Sequence, residues 1–296
     1  MSALSALSPW NRRAVLAGLF GLVALPGRPG AAQPAARIAS LGGAVTETLC
    51  RLGAAGRIVA VDTTSVYPPE ILREKPNVGY LRALSAEGLL SVRPDLVIAA
   101  EGAGPPDVLA LLREAGIPVS LVQEPPTPEG VLDKIATVGH LAALDGPAEA
   151  LSREVGAGFA ELARQRARIT RRARALLVLS LANGRVMVGG RNSSADGMLA
   201  LAGVENAAGG LEGFKPIGDE AIVAAAPEAV VMMRNGPDAP GPEAVFASGT
   251  ALGQTPAAAK RALVAMDGLT LLGFGPRTPE AATALMRAIY PDLFRG

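Results

Sequence analysis

The stretch Val78-Gly79-Tyr80-Leu81-Arg82-Ala83-Leu84-Ser85-Ala86-Glu87-Gly88-Leu89-Leu90-Ser91-Val92-Arg93-Pro94-Asp95-Leu96-Val97-Ile98 holds a turn, a short helix and a buried strand in close succession. Gly79 and its polar approach mark the turn. Tyr80 and Arg82 then stand two apart, so in extended chain a phenol and a guanidinium leave the same side. Ser85, Glu87 and the Leu89-Leu90 pair read as a capped helix, which Pro94 requires to have ended. Leu96 onwards is a continuous apolar run, as a parallel strand buried on both faces demands.

This layout returns further along the chain. Glu87 precedes Pro94 by seven residues, and Asp95-Leu96-Val97-Ile98 follows; Glu220 precedes Pro227 by seven, and Glu228-Ala229-Val230-Val231 follows. The glutamates and the prolines are each 133 residues apart, which marks an internal repeat. Around the first copy, strands at 37–41, 58–61, 96–99 and 119–122 alternate with helices at 45–52 and 107–115. Residues 128–172 read as mostly helical with a break near Asp145-Gly146-Pro147, and Leu151, Val155, Phe159, Leu162 and Ile169 form a buried stripe. Beyond Arg174 the alternation resumes, with strands at 176–179 and 186–188 and a helix at 195–201. The expected fold is therefore α/β: two Rossmann-like lobes with mainly parallel sheets, at 33–146 and 174–296, joined by one long helix at 147–173, with a ligand cleft between them.

The first 32 residues read as an address. Arg12-Arg13, an apolar run over 14–25 and the small residues Gly30-Ala31-Ala32 form the three parts of an export signal, of twin-arginine type and too short to span a bilayer. Cleavage near Ala32 removes Arg12, Arg13 and Arg28 and no acid, taking the formal charge from +1 to −2. A slightly acidic mature chain does not suit nucleic acid. Cys50 is the only cysteine, so no internal disulfide forms, and its place well inside the fold excludes lipid attachment. A soluble, monomeric periplasmic protein without a membrane anchor is expected. Trp10 is the only tryptophan and falls within the signal, leaving no indole platform for sugars.

Enzyme chemistry finds no purchase. No Gly-x-Gly-x-x-Gly, phosphate loop, His-Glu-x-x-His or Gly-x-Ser-x-Gly occurs, and the one histidine, His140, lies in a helical stretch without a triad context. A binding protein is expected instead, its ligand beyond the carboxyl ends of the strands. Tyr80 and Arg82 from the first lobe and Arg234 from the second face that space. Met232 and Met233 read as strand core, Tyr290 as packing, and the arginines at 164–172 as a solvated helix end. The Gly42-Gly43 turn either offers backbone N–H groups to a carboxylate or is only a tight turn. Thr278 and Pro279 read as the cap and first residue of a last helix, with Arg277 lacking an assigned role.

Gly79-Tyr80-Leu81-Arg82 running into Ser85-Ala86-Glu87-Gly88, Lys215-Pro216-Ile217-Gly218-Asp219-Glu220-Ala221, and Gly273-Phe274-Gly275-Pro276-Arg277-Thr278-Pro279-Glu280 together resemble the periplasmic haem-binding proteins of bacterial haem ABC importers. These lie within the wider class that binds ferric siderophores and cobalamin, and the resemblance covers nearly all of the mature chain. It implies haem as the transported ligand, with Tyr80 as axial ligand to ferric iron and Tyr67, before Pro68-Pro69, as the rival tyrosine. A phenolate is a hard anionic oxygen suited to Fe(III), and the Arg82 charge would favour it over the phenol. Arg82 and Arg234 would pair with propionates, since the guanidinium fork matches a carboxylate. Glu87 and Glu220 would engage arginines on the membrane permease. A ferric siderophore or cobalamin is the alternative ligand.

Overall fold

The computed structural model describes residues 34–182, 185–234 and 240–294. The expected export signal lies outside them. In chain order, the first half consists of β1 (Ile38–Leu41), α1 (Gly43–Arg51), β2 (Ile58–Val61), α2 (Ile71–Glu74), β3 (Gly79–Tyr80), β4 (Ala83–Leu84), α3 (Ala86–Ser91), β5 (Leu96–Ala100), α4 (Pro106–Glu114), β6 (Val119–Val122) and α5 (Pro128–Leu141). The long helix α6 (Asp145–Arg166) follows. The second half consists of β7 (Arg174–Ala182), β8 (Arg185–Gly189), α7 (Ser194–Leu201), β9 (Glu205–Asn206), β10 (Phe214–Ile217), α8 (Asp219–Ala225), β11 (Ala229–Arg234), α9 (Pro242–Val245), α10 (Pro256–Ala259), β12 (Leu263–Asp267), α11 (Gly268–Leu272) and α12 (Thr278–Ile289).

The first sheet runs β2-β1-β5-β6 and is parallel throughout. The second runs β10-β8-β7-β11-β12: β7, β11 and β12 are parallel, β8 runs antiparallel to both of its neighbours, β7 and β10, and β9 pairs parallel alongside β7. Alternation along the buried strands divides the core. Val97 and Ala99 point into an outer cluster with Leu109 and Leu112, while Leu96, Ile98 and Ala100 point inward. In β7, Leu176 and Val178 join a second outer cluster, and Ala175 and Leu177 face inward. The inward residues of both sheets meet in one central cluster with Val45, Ile135, Val155, Phe159, Leu199 and Leu285, so a single core runs beneath both halves. The expected stripe of the long helix is buried at Leu151, Val155, Phe159 and Leu162, but the helix stops at Arg166, before Ile169.

The repeat extends into backbone geometry. Arg93 and Ala226, each directly before its proline, both adopt left-handed conformations at φ 44° and 43°. The acid after each proline binds the chain entering the neighbouring strand. Asp95 Oδ2 accepts from the Ala36 and Arg37 amides at 3.0 and 2.9 Å, and Glu228 Oε1 accepts from the Arg174 amide at 3.3 Å. Glu228 also takes a two-pronged contact from Arg171 at 2.9 and 2.7 Å. Three other arginines near that helix end are also engaged, Arg164 on Glu161, Arg166 on the Ala200 carbonyl and Arg168 on the Leu293 carbonyl.

The Arg171 hydrogen bond pulls the Glu228 carboxyl down from its ordinary 4.5 to about 2. A depressed carboxylate stabilises the fold fully above its unfolded value and loses that contribution as pH falls through its folded one. The wild type should therefore lose stability between pH 4.5 and 2 more steeply than Glu228→Gln in urea titrations, by a margin that shrinks with added salt because Arg171 is exposed. Parallel pH profiles for the two proteins would refute the assignment.

Two further details depart from the sequence reading. Tyr80 and Arg82 lie in a tight hairpin rather than a continuous strand: β3 pairs antiparallel with β4, and Leu81-Arg82 form the turn. Gly79 at φ +101° permits this, because a Cβ there would lie 2.8 Å from the Ala83 oxygen. Thr278 is the first residue of α12 rather than its cap. Its hydroxyl donates to the Gly275 carbonyl at 2.7 Å, which leaves Arg277 at the capping position.

Candidate functional site

An open cavity of about 710 Å³ lies at the carboxyl ends of both sheets. Gly42 and Gly43 follow β1, Thr64 and Val66 follow β2, Ala100 ends β5, and Glu124 follows β6; from the other sheet come Met233 and Arg234 of β11 and Asp267 of β12. This is where parallel strands leave room for a ligand, since each connection turns away from its neighbour. Val66 and Leu81 on one side and Leu179, Phe214, Leu269 and Leu272 on the other give the cleft two broad apolar walls.

Tyr80, Arg82 and Arg234 all line this cavity. Tyr80 sits on the hairpin with half of its surface, 50%, exposed, far more than a packed tyrosine leaves open. Among the described residues, none of the three commits its polar group to a protein hydrogen bond or ion pair. Tyr67 is placed apart from the cavity lining. The Arg277 guanidinium lies 3.6 Å from the centre of its ring, and Nε and Nη2 of that arginine donate to Glu47 at 2.8 and 2.9 Å. Of the two methionines, Met232 is core, whereas Met233 is half-buried and lines the cleft.

Counting 133 residues on from Tyr80 and Arg82 gives Gly213 and Lys215. The second half has no counterpart to the phenol but keeps a cation opposite the guanidinium. There the equivalent segment is drawn into the main sheet as β10, whose Phe214 contributes an aromatic face to the cleft.

The floor beneath β1 and β2 is a polar network centred on Asp62. Its buried carboxylate accepts from the Gly42 amide at 2.7 Å, the Thr64 amide and hydroxyl at 2.9 and 2.6 Å, and the Ser65 hydroxyl at 2.8 Å. The Gly43 amide donates to the Thr64 hydroxyl at 3.0 Å. The Gly42-Gly43 amides are thus already engaged, which corrects the option that they serve a ligand carboxylate. What Gly42 supplies is closeness: at φ +111°, a Cβ would meet the Ala100 Cβ at 2.7 Å. The sequence signal for the network is Asp62-Thr63-Thr64-Ser65 directly after a strand, an Asx-turn composition.

A second unforeseen pair borders the cavity. Lys134 in α5 is 1% exposed, and its ammonium donates to Glu124 Oε1 at 2.6 Å and to the carbonyls of Phe274 and Gly273 at 3.1 and 3.3 Å. Burial pulls the Lys134 pKa down, and the Glu124 charge opposes that shift.

His140, Tyr290, Glu87 and Glu220 are not among the residues that line the cleft. His140 is exposed and meets Asp145 at 3.2 Å. The Tyr290 hydroxyl accepts from the Ala173 amide at 2.9 Å and donates to the Gly203 carbonyl at 2.8 Å, with burial raising its pKa. Glu87 and Glu220 are exposed on the first turns of α3 and α8, at matching places in the repeat. The Ser85 hydroxyl caps α3 by accepting from the Gly88 amide at 3.0 Å, whereas Gly218 begins α8 without a side-chain cap.

Among the described residues, no helix is long and apolar enough to cross a membrane. The periplasmic heme-binding protein RhuT of Roseiflexus sp. RS-1, in apo form, is 38% identical, with a TM-score of 0.82 over 87% of this chain and 98% of that one. A periplasmic heme-binding protein of Pseudomonas aeruginosa is 35% identical, with a TM-score of 0.80 over 87% and 93% of the two chains. The vitamin B12-binding protein of Vibrio cholerae (strain ATCC 39541 / Classical Ogawa 395 / O395) is 36% identical over 110 residues, which is 37% of this chain and 39% of its own. The periplasmic binding protein family model matches residues 38–269, and with that match the chain, a two-lobed ABC-importer binding component rather than an enzyme, belongs to this family.

Proposed function

We propose that this protein captures haem and hands it to its permease, with the Tyr80 phenolate as axial ligand to ferric iron. The observation that carries the reading is Tyr80 itself: a half-exposed tyrosine with an uncommitted hydroxyl, on a hairpin over an open cleft with two apolar walls. Such walls suit the faces of a flat macrocycle. Arg82 and Arg234, entering from opposite halves, offer planar forks to its carboxylates. In support, relatives named for heme binding are 38% and 35% identical over 87% of the chain, whereas a vitamin B12-binding protein of Vibrio cholerae covers 89% of it at only 22% identity. Absorption titration of the mature protein with hemin and with cyanocobalamin tests the reading. Saturable hemin binding without cobalamin binding is expected, and the reverse would replace haem with cobalamin.

Glu87 and Glu220 are assigned to permease docking. Both are exposed, both stand in the first helical turn where the dipole favours an acid, and neither borders the cleft. The double variant Glu87→Ala/Glu220→Ala should keep hemin affinity within about twofold, because rim charges away from a site act on the partner encounter. It should lose transport with the cognate permease in proteoliposomes. A double variant that no longer binds hemin would remove the docking assignment. Residues 1–32 are assigned to export, and the N-terminal sequence of the periplasmic protein should start near Gln33.

A further inference from the structure

The buried lysine beside the cleft has a geometry that surface packing does not explain. An ammonium carries three protons, and Lys134 places them on three acceptors: Glu124 Oε1 at 2.6 Å, the Phe274 carbonyl at 3.1 Å and the Gly273 carbonyl at 3.3 Å. The carboxylate belongs to the cleft wall after β6, and the two carbonyls belong to the other half of the molecule, just past the end of α11. That short helix supplies Gly268, Leu269 and Leu272 to the opposite wall, and Gly273 lines the cavity as well. Phe274 is itself fixed, with a left-handed backbone at φ 49° and a side chain 2% exposed. Three residues on, Arg277 is held by Glu47 of α1, whose first residue also borders the cleft.

We propose that Lys134 is a positioning residue: by tying the end of α11 to the first half of the molecule, it sets the distance between the Leu269–Leu272 wall and the Tyr80 hairpin, and with it the grip on the ligand. Its affinity arm rests on the ligand reading above, and its exchange arm does not. Without the ammonium, the Gly273 and Phe274 carbonyls lose their donor, and among the described residues no other polar group from the first half bonds to them. The wall then opens locally while the hairpin, on separate elements, keeps its geometry.

The test compares three variants: Lys134→Met, Glu124→Gln, and the pair together. The pair matters because a lone Lys134→Met leaves the Glu124 charge without its partner and can fail to fold, whereas the double variant removes both charges. Relative to Glu124→Gln, the double variant should show about tenfold faster amide exchange confined to residues 269–274, the signature of a local opening. It should also release hemin about tenfold faster, with the tyrosine-ligated absorption band unmoved, since most affinity change within one site appears in the off-rate. Wild-type exchange at 269–274 in the double variant would overturn the tie, whatever the ligand. Faster exchange with unchanged release would overturn the positioning role. If the wild type takes cyanocobalamin and not hemin, the haem reading fails alone, and the same comparison of release rates is made with cyanocobalamin.

Discussion

Tyr80→Ala should abolish the tyrosinate-to-iron absorption band of the hemin complex and raise its dissociation constant by roughly two orders of magnitude, about 3 kcal/mol at 1.4 kcal/mol per decade. Two contributions are lost together, the anionic oxygen on the metal and the aromatic face exposed to the cleft. Tyr80→Phe separates them, because it keeps the ring and deletes only the oxygen. The band should vanish in the phenylalanine variant as completely as in the alanine one, while part of the affinity survives on the apolar walls and the two arginines. A phenylalanine variant with an unchanged band would transfer the ligand role to another residue. Tyr67 is poorly placed to inherit it, since its ring lies beneath the Arg277 guanidinium.

Arg277→Met should destabilise the protein by about 3 kcal/mol, the lower end of the 3–5 kcal/mol typical when one member of a buried ion pair is removed. Glu47 is 2% exposed, and the variant would leave its carboxylate buried without the two-pronged contact at 2.8 and 2.9 Å. The stacking of the guanidinium on Tyr67 and the bond from Nη1 to the Thr270 hydroxyl at 3.2 Å go with it. Against a total stability of 5–15 kcal/mol for an ordinary domain, that loss is visible as a large drop in the urea midpoint. Pairing the change with Glu47→Gln should restore part of the loss, because no bare charge then remains in the interior. A single variant with a wild-type midpoint would show that the pair is solvated in solution.

The contrast between these two residues shows what a sequence can carry. That Tyr80 and Arg82 share one space is legible in their own neighbourhood, because a turn glycine, a two-residue spacing and a capped helix are local chemistry, whereas the iron-ligand role comes from the family resemblance alone. The strands were legible for the same reason: Leu96–Ala100 is apolar without interruption and buried at every position. The repeat was legible as a spacing, and it extends to the left-handed residue before each proline and to the acid after it. Glu47 and Arg277 are separated by 230 residues, and no local pattern joins them. Lys134 did leave a trace. It falls at the i+3 place after Val131, on the same helical face as Ile135 and Val138, where a lysine interrupts a stripe that is otherwise core. A cation at such a place calls for a buried acceptor set, and here that set includes two carbonyls from the other half of the molecule. The engaged Gly42-Gly43 amides were beyond sequence reading, because their acceptors are side chains about twenty residues away.

The single core beneath both halves bears on how cargo leaves. Parting the halves widely would bring Val155, Phe159, Leu177 and their neighbours into water, at about 1.5–3 kcal/mol for each large apolar side chain exposed. Thermal motion alone rarely supplies several such terms at once. Loading can proceed through the open mouth of a slot that already exists, but unloading by spreading that slot demands work from outside. The two exposed glutamates stand one on each half, at equivalent points of the repeat, where a membrane partner gripping both could apply that work as leverage across the shared core.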